Sequence, residues 1–542
     1  MTIAYRFANG TDPFERGIDR YRDNQLTRFD GTSELIAEQF DQDRATDKWR
    51  DHPTYNHNRE IRERADQNEV SAVVAIGGLQ QIKFKWDMSF DQIDGTADDL
   101  AHLCRLIYEI GRDQKNQIKR LFRSIDLEFF IPTKGIAQRT QNAKWWRALL
   151  NRECRRRTEQ SLRQLGLVSK STGLYLSNFT FGGWRESERR AAAFMEEAEL
   201  VEVGSGEIVS MEDASHGSTA NLENRRAELM TRIRGCEELA TERGLIPLFL
   251  TLTCPSKHHL FAKGKNNPRY NGSTPKRAQQ HLISNWNRIR AKLNRNGIDL
   301  FGLRIVEPHH DGCPHWHLLL FVEPSQRIEM LEIIIGYSLE EDGDEPGANK
   351  RRVEIVELDK AGQAAGYVAK YVAKNIDGFK VGEDLESDGQ SSSDTAQRVR
   401  AWASTWGIRQ FQFFGDASVT VYRELRRIAN DSDQVASVTG KTQTAMVAAD
   451  EGNWAAYSKE NGGPCCPHNA RPIRPYYSEI KPVTGVQRVG VYGDVLRAIA
   501  GIKTATDVIL SRTREWVLQF KRDSAPWSCV NNCTGNSQTL IY

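Results

Sequence analysis

Residues 300–322 confine the fold more than any other stretch of the chain. Two β-prone runs, Leu300 to Glu307 and His315 to Val322, are joined by Pro308 to Pro314, which contains the turn signal Asp311-Gly312. Two adjacent runs with one tight connection make an antiparallel hairpin. Before it, Leu245 to Thr253 is a short apolar β-prone run, followed by a basic loop rich in Gly, Asn and Pro. Thr274 then caps a helix with Pro275 at its first position, running to about Asn296 and stopped by Gly297. After the hairpin, Arg351 to Leu358 alternates like a strand and Asp359 to Ile376 has helical spacing. This order predicts an α+β domain, a central antiparallel sheet with flanking helices, which Ala396 to Phe414 and Val419 to Ile428 complete near residue 430.

A chain of 542 residues exceeds one ordinary core, so further domains are expected. Residues 1–240 are predicted to be a mainly helical N-terminal region of unknown role, with helices at Leu100 to Phe122 and Ala143 to Leu165. The second sets Trp145 and Trp146 beside five arginines; a buried aromatic edge with a wet arginine face is preferred over a DNA-contacting helix. Residues 431–475 are polar and Gly/Ser/Asn-rich, the composition of a linker. Residues 476–542 form a small C-terminal region in which Val491 to Phe520 is expected to be helical. No apolar run approaches the roughly 18–20 residues that span a bilayer, and the first 25 residues lack a secretory signal, so the expected location is the cytoplasm, with no membrane partner. Nine cysteines, an odd number, suit a reducing compartment. Cys465, Cys466, Cys529 and Cys533 have poor zinc spacing, and idle thiols are the preferred reading.

The net charge of +2 hides a strong asymmetry. From Leu245 to Arg304 there are 11 basic residues and one acidic residue, a net of +10 over 60 residues. An unbalanced stretch of this size points to a polyanion, nucleic acid above all, with Lys257, Arg269, Lys276, Arg277, Arg288 and Arg290 as candidate DNA contacts. The acidity lies in Ser338 to Lys350 and Val381 to Asp394, both loop-like.

Two residue patterns inside this domain carry chemistry. In His315-Trp316-His317, strand alternation puts both imidazoles on one face and Trp316 on the other. Twelve histidines supply about 0.27 such pairs by chance, so the motif needs a third ligand. Glu307, which the hairpin returns beside His315, would complete a two-His, one-carboxylate group with open positions for substrate. The second pattern is the repeat Tyr367-Val368-Ala369-Lys370, Tyr371-Val372-Ala373-Lys374. On a helix the two phenols share a face about 6 Å apart, each followed by a lysine that a buried aromatic stripe would not require. A phenol can attack a phosphodiester when a metal and an ammonium neutralise the phosphate.

These segments, FLTLTCPSKHH, NGSTPKRAQ, VEPHHDGCPHWHLLLF, GYVAKYVAKNIDG and AWASTWGIRQFQ, occur in that order between about residues 240 and 430. Together they resemble the replication gene A proteins of tailed bacteriophages and prophages, rolling-circle initiators of the His-hydrophobic-His (HUH) endonuclease superfamily. The resemblance implies that residues 241–430 are the HUH endonuclease domain. It implies a strand-specific nick in single-stranded or supercoiled origin DNA inside the bacterial host. One tyrosine would stay linked to the 5′ phosphate while the 3′ hydroxyl primes host polymerase, and the second would cleave the regenerated origin. On matching positions, Tyr367 and Tyr371 would be nucleophiles, and His315 and His317 would hold Mg²⁺ or Mn²⁺. Lys370 and Lys374 would meet the scissile phosphate. Gly440-Lys441-Thr442 lacks the earlier glycine and the preceding strand of an ATP-binding loop, so unwinding is expected from a host helicase. Rival readings are a relaxase or transposase of the same superfamily, a non-catalytic DNA-binding protein, and a small-molecule metal hydrolase. The second tyrosine, the intact tandem pair and the scarcity of downstream histidines argue against them in turn.

Overall fold

The computed structural model describes residues 135–262, 264–358, 363–379, 392–479 and 495–521, with shorter stretches at 70–73, 81–84, 86, 88, 90–110, 114–127 and 490. Chain contacts divide it into two units, one of residues 1–173, 177–180 and 488–496, the other of 174–176, 181–487 and 497–542. In the first unit, helices Phe90–Ile110, Gln114–Ser124 and Ala143–Gln164 bury Leu100, Ile107, Phe122 and Trp146. Three of the arginines on the third helix serve the protein itself. Arg156 pairs with Glu153 at 2.7 Å, Arg157 with Asp126 at 2.8 Å, and Arg147 with Asp94.

The second unit is built on a five-stranded sheet. Its strands are β1 (Ile246–Leu252), β2 (Phe301–Pro308), β3 (Pro314–Val322), β4 (Val353–Glu357) and β5 (Phe411–Phe414), in the order β4-β1-β3-β2-β5. Every neighbouring pair is antiparallel. The α+β expectation therefore holds, and the predicted hairpin forms with Glu307 directly opposite His315. Gly312 at φ 78° and the Asp311 carboxylate, which accepts from the Cys313 N–H at 2.9 Å, close its turn.

Helices cover both faces, so β2 and β3 are almost continuously apolar. One face packs Leu250, Val306, Trp316 and Leu318 against α2 (Pro275–Arg295), α3 (Arg327–Leu339) and α5 (Ser392–Trp406). The other packs Phe249, Phe301, Leu303, Ile305 and Leu319 against α1 (Leu222–Glu242) and α4 (Ala364–Ile376). Thr274 caps α2 by accepting from the Arg277 N–H, and Pro275 occupies its first turn, as the sequence predicts.

Three expectations about the flanks need correction. Helix α1 lies under the sheet, so the division falls near residues 174–181 and not at 240. Residues 431–475 are not a linker: helices Gly440–Asp450 and Trp454–Glu460 bury Met446, Ala449, Trp454 and Tyr457 in a core shared with helix Val419–Ala429. The expected C-terminal helix is instead strands Arg497–Lys503, Val508–Leu510 and Trp516–Phe520. The last of these pairs with Ala198–Glu202. Cys465 and Cys466 are free thiols, while Cys529 and Cys533 lie outside the described residues. Among the described residues no helix is long and apolar enough to cross a membrane.

Candidate active site

Alternation along β2 and β3 turns Glu307, His315 and His317 to the face covered by α4. Their donor atoms all lie within 4.8 Å of one another, the His/Cys/Asp/Glu group suited to a metal ion among the described residues. The two Nε2 atoms are 3.1 Å apart, and Glu307 Oε2 lies 3.6 Å from His317 Nε2 and 4.0 Å from His315 Nε2. Two donors bound at right angles with bonds of ~2.1 Å stand about 3.0 Å apart, so the imidazole pair has the bite of a divalent-ion site. Thr251, opposite His317 on β1, places its hydroxyl 3.1 Å from His317 Nδ1. In the tautomer with Nδ1 as donor, the Thr251 hydroxyl accepts from it and Nε2 is left to ligate.

The electrostatics suit the same use. Burial, then the neighbouring His309, His317 and Lys374, push the His315 pKa well below its usual value and keep the ring neutral. Burial alone would raise the Glu307 pKa. The His317 contact, the Lys374 charge and Asn375 outweigh it, and the carboxyl is held below its usual range. His315 Nδ1 is buried without a hydrogen-bond partner beside the His309 ring, whose centroid is 4.2 Å away.

Helix α4 delivers the tyrosines. Val368, Val372 and Ile376 bury its inner face against the sheet and leave Tyr367 and Tyr371 half-buried beside it. The Tyr371 ring sits 4.4 Å from the His317 ring and 5.1 Å from that of Phe249. Tyr367, one turn earlier, is 5.9 Å from Tyr371 and packs edge-on against Phe249 at 4.8 Å. Lys370 is exposed and holds its ammonium over both rings, 4.4 Å from the Tyr367 centroid and 4.9 Å from that of Tyr371. The charge of Lys374 reaches both Glu307 and His315.

Sequence reasoning missed Asn375, which is almost fully buried and donates to Glu307 Oε1 and to the Tyr371 carbonyl. Tyr367, Tyr371 and Asn375 recur at intervals of four, so the same helical spacing that paired the phenols points to it. Thr251 and Phe249 were also passed over, although both fall within the predicted strand before the basic loop. Among the histidines near the motif, His310 is exposed, His309 is half-buried, and His258 is buried with Nδ1 2.9 Å from the Ser273 hydroxyl.

The six basic candidates divide. Lys257 pairs with Glu341 and Asp342, Arg269 with Glu345 at 3.6 Å, and Arg288 with Glu340 at 2.8 Å. Lys276 and Arg277 lie in the first turn of α2, and Arg290 stands on its exposed side.

Residues 113–379 match the family described as bacteriophage replication gene A protein. The chain is 40% identical over 495 residues to the replication gene A protein of Escherichia phage 186, covering 83% of this chain and 70% of that protein. It is 35% identical over 428 residues to the replication gene A protein of Escherichia phage P2, covering 74% of this chain and 55% of that one. A probable replication endonuclease from a prophage-like region of Salmonella paratyphi A is 31% identical over 447 residues, covering 78% and 55%. No solved structure matches the chain.

Proposed function

The chain belongs to the bacteriophage replication gene A protein family, and from that premise we propose that it initiates phage DNA replication by nicking one strand of the origin. The observation that carries this reading is the contact between the Tyr371 and His317 rings, which sets the tyrosine helix against the Glu307, His315 and His317 group. Those three residues would hold Mg²⁺ or Mn²⁺, which when bound supplies neutralising charge for the phosphate. Imidazole donors favour Mn²⁺. The fold of residues 241–430 is that of an HUH endonuclease in this reading.

In the first step a tyrosine phenol gives up its proton and its oxygen attacks the scissile phosphorus. The bond to the 3′ oxygen breaks, that oxygen takes up a proton, and a 5′-phosphotyrosine and a free 3′ hydroxyl remain. The phosphoester bond is conserved, so the strand is rejoined later without ATP. Lys370, whose ammonium lies over both phenols, would meet the phosphate, and the charge of Lys374 would act beside Glu307. Host polymerase would extend the free end and a host helicase would open the duplex. Tyr371 is the proposed first nucleophile because its ring, and not that of Tyr367, touches His317.

The test incubates an origin-bearing oligonucleotide with the protein in Mn²⁺ or EDTA. An adduct that survives SDS is expected in Mn²⁺ alone. Tyr371→Phe should slow the first cleavage at least about tenfold more than Tyr367→Phe, a barrier difference near 1.4 kcal/mol. The adduct should vanish in the double variant, and its persistence there would refute the assignment.

A further inference from the structure

Strand alternation turns Trp316 away from the two histidines, and on that far face of the sheet lies a cavity of about 260 Å³ lined by α2, β2, β5 and residues 407–409. One wall is aromatic: Trp286 is buried and meets Phe414 edge-on with centroids 5.7 Å apart. Deeper in, Arg304 is only 6% exposed and stacks its guanidinium 4.3 Å from the Trp316 centroid. Trp316 itself is tied down by its indole N–H, which donates to Gln279 at 2.8 Å.

Arg304 is poorly served by the protein. Its one hydrogen bond is a long one, 3.4 Å to the Arg409 carbonyl, and its Nε is buried without a partner. Arg290 and Arg409 also line the cavity and are exposed at its rim. Among the described residues none of the three guanidinium groups is paired with a carboxylate. Burial, then the charge of Arg409, lowers the Arg304 pKa to about 10, the signature of a cation that its surroundings do not compensate. Replacing a buried charge by an apolar group is often neutral or stabilising, so the presence of this one invites a functional reason. Guanidinium groups lining one cavity are suited to a phosphate, and its aromatic wall is suited to a base.

We propose that this cavity binds a single nucleotide unit, its base against Trp286 and Phe414 and its phosphate on Arg304, Arg290 and Arg409. Its volume lies just below the roughly 300–1,000 Å³ of ordinary ligand clefts, which suits a small occupant. The unit could be a free nucleoside phosphate or one unstacked residue of a DNA strand. Neither source depends on the tyrosine chemistry on the opposite face.

The test uses the full chain in EDTA, so that the Glu307, His315 and His317 group contributes no metal-bound phosphate. Binding of 2′-deoxyadenosine 5′-monophosphate, inorganic phosphate and a labelled five-residue oligothymidylate is measured by titration and by ligand-induced shift in melting temperature. The wild type should bind the mononucleotide more tightly than phosphate. Arg304→Met should weaken the mononucleotide at least about tenfold while melting no lower than the wild type. Should that variant fail to fold, the exposed pair Arg290→Ala and Arg409→Ala should produce the same loss. A parallel loss of oligonucleotide binding identifies a strand residue as the ligand, and unaltered oligonucleotide binding identifies the free nucleotide. Tyr371→Phe should bind the mononucleotide as the wild type does, whether or not it nicks, which separates this outcome from that of the nicking assay. Unchanged mononucleotide affinity in the arginine variants overturns the proposal, and equal affinity for phosphate and mononucleotide overturns its base-stacking half.

Discussion

Asn375 holds two groups at once, donating to the Glu307 carboxylate and, at 2.7 Å, to the carbonyl of Tyr371. It ties the third metal-ligand candidate of β2 to the tyrosine helix, and it is itself met by Gln410 at 3.4 Å. Truncation in Asn375→Ala would leave the buried carboxylate leaning on His317 and Lys374 alone. Removing an outer hydrogen bond of this kind typically costs about 10- to 100-fold in metal affinity. Calorimetric titration with Mn²⁺ should show a loss of that order, and nicking should recover at saturating Mn²⁺. Wild-type affinity in the variant would mean that Asn375 serves only to brace the helix. At this scale the clustering of Glu307, His315 and His317 was legible because both imidazoles and the carboxylate follow from strand alternation and one tight turn. The role of Asn375 was not, because helical spacing puts it on the tyrosine face but does not show what that face meets.

Helix α1 serves the sheet on one side and a second helix on the other, and Gly235 is where the second contact is closest. A Cβ at that position would lie 2.6 Å from Trp454 Cβ and 2.9 Å from the Ala455 nitrogen, the latter being backbone that cannot rotate away. Gly235→Val should therefore destabilise this unit by about 1–3 kcal/mol through overpacking, seen as a lower thermal midpoint, with Gly235→Ala less severe. An unchanged midpoint would show that helix Trp454–Glu460 is free to shift. This packing also explains why residues 431–475 looked like a linker. Gly, Ser, Asn and other polar residues interrupt the segment, and its short apolar runs become a core only against helices Leu222–Glu242 and Val419–Ala429. The C-terminal strands were misread for a related reason. Short apolar runs have no decisive period, and their pairing partners at Ala198–Glu202 and Arg474–Glu479 lie elsewhere in the chain. Where signals are local, as in the cap of α2 and the turn of the hairpin, sequence and structure agree.

Across the second unit, the folded charge distribution differs from the linear one. Part of the net of +10 over residues 245–304 is met within the protein, because the acidic turn after α3 lies against it. Glu341 and Asp342 grip Lys257, Glu341 also lies 3.2 Å from His281, and Glu340 holds Arg288. Glu345 is a structural member of the turn, accepting from the Ser256 N–H and pairing with the buried Arg352 at 2.6 Å. The other three acids have exposed side chains and no comparable role, so they are the ones that DNA phosphates would have to displace. A triple variant, Glu340→Gln, Glu341→Gln and Asp342→Asn, should release Lys257 and Arg288 without disturbing the turn, since Asn tolerates the φ of 54° at position 342. Two additional phosphate contacts on a single strand steepen the dependence of log affinity on log salt by about 1.4. Fluorescence anisotropy with a non-origin oligonucleotide between 50 and 200 mM salt, on the order of the physiological range, should show that steeper slope and tighter binding at the low end. An unaltered slope would mean that strands pass elsewhere over the protein, and that these acid–base pairs are only surface ion pairs worth a few tenths of a kcal/mol each, on the order expected for exposed contacts.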